Sequence, residues 1–191
     1  MTERYSMPFR EKIVEDLEKQ RVRNLWERVD DQEFFVHPFL VVLKSEFALD
    51  IDEVGFYTDI ASPSYMKNLR EIAAGRKLDP ESIVIRVVSK QSPESKYAMV
   101  ILGRTTNCDI VIPSKVVSKF HAYIVQRVSS PGSYSLVDGG SKNGTFLNSD
   151  RLAKNSSARL KNGDRIDLGI AWAFRFHTPD EFRQLLRASR R

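Results

Sequence analysis

The feature that most narrows what this chain can fold into is a change of period after Pro80. Before it, apolar residues recur at three-to-four spacing. Beyond it they fall into short β-branched runs: Ile83–Val88, Tyr97–Leu102, Asp109–Ile112, His121–Val128, Tyr134–Val137, Thr145–Leu147, Arg165–Leu168 and Ala171–Phe176. Turn residues punctuate them at Ser130-Pro131-Gly132, Ser141 to Gly144 and Lys161-Asn162-Gly163-Asp164. Many short strands at near-regular spacing predict a β-sandwich or barrel.

The first 80 residues read differently. Pro8 follows Ser6-Met7, and Ile13, Val14, Leu17, Val22, Leu25, Trp26 and Val29 predict a helix over about 8–29. The Trp26 stripe is a core or docking face. The run Phe39–Leu43 fits a helix or a buried strand, and Phe39, Leu43 and Phe47 at i, i+4, i+8 after Pro38 favour a helix. Tyr65, Leu69 and Ile72, between Ser62-Pro63 and Gly75, predict a further helix over about 63–74. The charged stretch Arg76-Lys77-Leu78-Asp79-Pro80 marks a domain boundary. At the other end, Thr178-Pro179-Asp180-Glu181 is a capping box opening a short helix with Phe182, Leu185 and Leu186, followed by a tail holding Arg187, Arg190 and Arg191. The expected fold is α+β: a mostly helical N-terminal segment (1–78), an antiparallel β-sandwich (81–177), and a C-terminal helix with a basic tail (178–191).

One cysteine, Cys108, excludes an internal disulfide, and His37, His121 and His177 lack metal-ligand spacing, so neither a metal nor another cofactor is expected. No signal-peptide core or membrane-length apolar run is present, which predicts a cytoplasmic protein in a reducing compartment. The net charge of +5 hides an asymmetry: residues 1–80 hold 12 Lys/Arg against 16 Asp/Glu (net −4), and residues 81–191 hold 18 against 9 (net +9). A basic C-terminal part favours an anionic partner, whether phosphopeptide, nucleic acid or membrane surface.

The loops between the β runs carry the chemistry for a phosphate on a peptide. Arg104 follows Gly103 at a strand end, where its planar fork suits two phosphate oxygens. Ser118 supplies a hydroxyl, Lys119 an ammonium, and His121 is placed to hydrogen-bond across that loop. Ser141-Lys142-Asn143-Gly144-Thr145 reads as a tight turn with Gly144 at positive φ and Asn143 outward, its amide able to pin the main chain of a bound peptide. Ser118 and His121 have no carboxylate motif to complete a catalytic set, and neither a kinase signature nor a nucleophile elbow is present. Catalysis is not expected.

Taken together, Gly103-Arg104, Ser118-x-x-His121 and Ser141-x-Asn143-Gly144-Thr145, with Cys108–Ile112 and Leu160-x-Asn162-Gly163-Asp164-Arg165-Ile166, resemble a forkhead-associated (FHA) domain over residues 81–177, about half of the chain. That resemblance implies a phosphothreonine-binding sandwich of about eleven strands. Arg104 and Ser118 would grip the phosphate, Lys119 would assist, and Asn143 would hold the ligand backbone. His121 would brace the loop with Gly103, Gly144 and Thr145 in support, and Lys142 stands as a further ligand contact. Val116, two before the serine, implies an apolar or mixed preference three residues after the phosphothreonine. The function so implied is a non-catalytic phosphothreonine-dependent adaptor in Ser/Thr-kinase signalling, with residues 1–78 open to a second protein partner and Thr2 a candidate internal ligand. The alternative is a basic nucleic-acid-binding protein, against which the binding loops lack interleaved aromatics.

Overall fold

The structure, a computed structural model, describes residues 21–44, 77–80, 82–89, 97–127, 130 and 132–190. Among them eleven strands form two sheets. In chain order these are β1 (Phe39–Lys44), β2 (Val84–Arg86), β3 (Tyr97–Gly103), β4 (Ile110–Val111), β5 (Ala122–Arg127), β6 (Tyr134–Asp138), β7 (Thr145–Leu147), β8 (Asp150–Arg151), β9 (Ser157–Leu160), β10 (Arg165–Leu168) and β11 (Trp172–His177). One sheet has the order β2-β1-β11-β10-β7-β8 and the other β4-β3-β5-β6-β9. Every pairing is antiparallel except β3 with β4, where Leu102 faces Ile110 and Gly103 faces Val111 in parallel, so the second sheet is mixed.

Leu102, Ile112, Ile124, Leu136, Ile166, Leu168, Phe174 and Phe176 are almost wholly buried between the sheets. Fully burying a large apolar side chain contributes roughly 1.5–3 kcal/mol. A second core lies on the outer face of the six-stranded sheet. It joins Val22, Leu25, Val29, Phe34, Phe35, Phe39, Val41, Leu78 and Val84 to Phe182 and Leu186. Phe39 stacks on Phe182 with ring centroids 4.2 Å apart.

The helical reading of residues 38–47 is corrected: residues 39–44 are strand β1, paired with β2 on one side and β11 on the other. The reason is that β1 is buried on both faces. Leu40 and Val42 pack between the sheets while Phe39 and Val41 enter the second core. Such a strand shows a continuous apolar run instead of alternation, and its i, i+4 coincidences imitate a helix. The mostly helical N-terminal segment is likewise not found: the described part holds a four-residue helix α1 (Val22–Leu25) and 3-10 turns at Trp26–Arg28 and Phe34–Val36. The expected helix over 63–74, the first part of the one over 8–29, and Thr2 lie outside the described residues.

The predicted runs from Ile83 to Phe176 coincide with strands, whereas β8 and β9 went unread because their residues are mostly polar and exposed. Backbone pairing defines those two, β8 on β7 and β9 on β6. Helix α2 (Pro179–Ser189) starts at the predicted proline. Thr178 makes no side-chain cap bond, so its carbonyl, accepting the Phe182 amide at 2.9 Å, starts the helix without the capping box. Among the described residues no helix is long and apolar enough to cross a membrane.

Candidate functional site

Three loops meet at one end of the sandwich: the one after β3, the one between β4 and β5, and the one between β6 and β7. Strand β3 ends in Gly103 because the β4–β5 loop crosses directly over it. A Cβ on Gly103 would run into the Lys119 carbonyl and lie 2.7 Å from Cys108 Sγ. That carbonyl accepts from the Cys108 thiol at 3.1 Å and from the Thr105 hydroxyl at 3.2 Å, while the Arg104 amide donates to the Ser118 carbonyl at 3.0 Å. Arg104 therefore leaves the strand half-buried and directly beneath the Ser118-Lys119 segment.

His121 ties this loop to the next. Its Nδ1 accepts the Ser118 amide at 3.0 Å, which leaves Nε2 as the protonated nitrogen, donating to the Gly144 carbonyl at 3.1 Å. Burial pushes the imidazole below its usual pKa, with the Gly144 bond and the Asp138 charge opposing, and the neutral tautomer matches both bonds. The single imidazole thus spans 23 residues of sequence, and neither ring nitrogen faces outward.

The β6–β7 loop is organised by Asp138, a buried carboxylate at the end of β6. Its Oδ1 accepts from the Ser141 hydroxyl at 2.6 Å and the Thr145 hydroxyl at 2.7 Å, and its Oδ2 from the amides of Gly140 and Ser141 at 3.0 and 3.2 Å. Burial alone would raise its pKa, but those hydrogen bonds outweigh it and hold the carboxyl below the ordinary range. Ser141 Oγ also accepts the Gly144 amide at 3.0 Å, and Gly144 turns the chain at φ +86°.

On this frame the predicted residues converge. Lys142 donates its amide to Ser118 Oγ at 3.0 Å, and Asn143 Nδ2 donates to the Val116 carbonyl at 2.6 Å. Lys119, Lys142 and Asn143 are exposed, Arg104 and Ser118 half-buried, and Gly103, His121, Gly144 and Thr145 buried behind them. The turn between β10 and β11 also joins the site. Gly169 donates its amide to the Gly144 carbonyl at 2.9 Å and packs so closely beneath Val116 and Asn143 that a Cβ would come within 3.0 and 3.2 Å of them. The next residue, Ile170, is 83% exposed.

Sequence reasoning missed Asp138, the Ser141 hydroxyl, the Cys108 thiol and the Gly169-Ile170 turn. The spacing of Asp138 before Ser141 and Thr145 was the available signal, since an aspartate can hydrogen-bond the backbone of the turn it begins. Nothing local marks Cys108 or Gly169, whose partners lie 11 and 25 residues away.

Residues 100–169 match the family model of the FHA domain. The chain is 46% identical over 72 residues to the serine/threonine-protein kinase cds1 of Schizosaccharomyces pombe, an alignment covering 36% of this chain and 16% of that protein. It is 37% identical over 79 residues to the DNA damage response protein kinase DUN1 of Saccharomyces cerevisiae, covering 39% and 15%. The chain thus spans about a sixth of the length of these relatives. Among solved structures, the N-terminal FHA domain of S. cerevisiae Rad53p in complex with a phosphothreonine peptide aligns at 24% identity and a TM-score of 0.44, over 53% of this chain and 88% of that one. The region that brings Arg104, Ser118, His121 and Asn143 together is, by its matched residues 100–169, a forkhead-associated domain.

Proposed function

We propose that this chain is a non-catalytic adaptor module that docks a threonine-phosphorylated protein in Ser/Thr-kinase signalling. The observation that carries the reading is the convergence of Arg104, Ser118, Lys119, Lys142 and Asn143 on loops fastened together by His121, Asp138 and Gly169. Such preorganisation lowers the ordering cost of gripping an anion.

The roles follow from the bonds already made. With the Lys142 amide on one lone pair, the Ser118 hydroxyl keeps its proton for a phosphate oxygen. Arg104 and Lys119 supply the positive charge. Asn143, anchored through one N–H to Val116, keeps its Oδ1 and its second N–H for the backbone of the bound segment. Chemistry on the ligand is disfavoured because both ring nitrogens of His121 are committed to backbone partners. Of the relatives, Rad53p supports the ligand class, its FHA domain having been solved with a phosphothreonine peptide.

The test is capture from an oriented phosphothreonine peptide library, against its unphosphorylated counterpart, by wild type and Arg104→Ala. Hydrogen bonds to charged groups contribute about 1.5–3 kcal/mol, so Arg104→Ala should weaken the selected peptide by about ten- to a hundredfold with the protein still folded. Equal capture of phosphorylated and unphosphorylated peptides overturns the reading.

A further inference from the structure

Beyond the residues assigned to the phosphate, the same end of the sandwich gathers further positive charge. Lys115 sits in the β4–β5 loop beside Val116, whose carbonyl holds Asn143. Lys154 sits in the β8–β9 loop, which is fastened to the site by the Asn155 amide donating to the Asp138 carbonyl at 3.0 Å. Arg151 lies against Gly144, so close that a Cβ there would come within 2.8 Å of its Nε. Lys115, Lys119, Lys142, Arg151 and Lys154 are all exposed.

Two of the nearby acids are turned inward, and Asp150, exposed beside Arg151, is one negative charge against these five positive ones. Asp138 is buried and saturated by four donors of its own loop. Asp109 turns back to accept the Ile101 amide at 2.7 Å and the Ser89 hydroxyl at 3.3 Å. One phosphate, with a charge of about −1.5 to −2 at pH 7, leaves most of these cations unmatched.

We infer that the site selects a segment bearing negative charge beyond a single phosphothreonine, read by Lys115, Lys142 and Lys154 around the phosphate pocket. This rests on the phosphothreonine reading above and adds the class of sequence in which the phosphothreonine sits. The further charge is a carboxylate or a second phosphate, the shared chemistry being an anionic oxygen within reach of an exposed ammonium. Each such exposed pair is weak and screened by salt, so selectivity comes from several acting together.

The experiment measures the Kd of one phosphothreonine peptide made with neutral flanks, with two flanking glutamates, and with a second phosphothreonine, at low and high salt. The unphosphorylated glutamate peptide and a single-stranded oligonucleotide are run beside them. Both charged forms should bind about tenfold tighter than the neutral one at low salt, equivalent to about 1.4 kcal/mol, with the advantage shrinking at high salt. In Lys115→Ala/Lys154→Ala the advantage should fall to about twofold or less. A gain only from glutamates or only from the second phosphate assigns the source and still supports the inference. Tight neutral-flank binding with no gain from either charge overturns the inference and leaves the phosphothreonine reading standing. Failure of every phosphothreonine peptide overturns both, and equal binding of the unphosphorylated peptide or the oligonucleotide shows a general polyanion surface and likewise overturns both.

Discussion

The Lys142 amide donates to the Ser118 hydroxyl at 3.0 Å, joining two loops whose residues lie 24 apart in sequence. One oxygen thereby sets the spacing between the segment bearing Ser118 and the turn bearing Asn143. Ser118→Ala removes both this acceptor and the hydroxyl proton. Binding of a phosphothreonine peptide should weaken by about tenfold, at a stability cost of only about 0.5–1.5 kcal/mol because the Lys142 amide gains water. Isothermal titration and a urea melt of the same preparation check this pair of numbers. Undiminished affinity would remove Ser118 from the phosphate contact.

Asp138 should matter more to stability than any residue that faces the ligand. Replacing it with asparagine turns an amino group towards two hydroxyls or two amides that now donate to it. Asp138→Asn should cost about 2–4 kcal/mol in urea unfolding. Because its folded pKa is depressed, its contribution is fully present above the unfolded value of about 3.9 and is lost as pH falls through the lower folded one.

His177 predicts an acid-sensitive second core. Burial and the Arg175 charge hold its imidazole down to about 4, while Nδ1 bonds Asn162 Oδ1 at 3.1 Å and the ring lies 6.2 Å from that of Phe182. The unfolded chain takes up this proton near pH 6.5, so stability is retained above that pH and falls as pH drops towards 4. The loss attributable to His177 is on the order of 3 kcal/mol. Comparing urea midpoints of wild type and His177→Gln from pH 7 to 4 should show a shallower decline in the variant. Superimposed profiles would exclude His177 as a source of the decline.

The two-residue connection between β7 and β8 holds non-glycine residues in the left-handed backbone region. Asn148 and Ser149 have φ of 52° and 76°, and the Asn148 amide is occupied on Asp164 Oδ1 and the Arg165 amide, both at 2.9 Å. Glycine relieves the second position, so Ser149→Gly should raise stability by about 0.5–1 kcal/mol, read as a higher urea midpoint with unchanged peptide affinity.

The amino-acid sequence by itself determined the β-rich character after Pro80, the C-terminal helix, and the residue types that meet at the loops. Those signals are local: β-branched runs between turn residues, a proline at a helix start, a glycine beside an asparagine. Only the tertiary structure decided that residues 39–44 are a strand between β2 and β11, because burial on both faces erases the alternation by which a strand is read. It likewise decided which polar residues hold the site and which are presented by it. Asp138 and His121 are buried and fully bonded, whereas Lys119, Lys142 and Asn143 are exposed above them. That division depends on contacts such as His121 with Gly144 and Gly169 with Asn143, which arise only when loops distant in sequence are brought together by the two sheets.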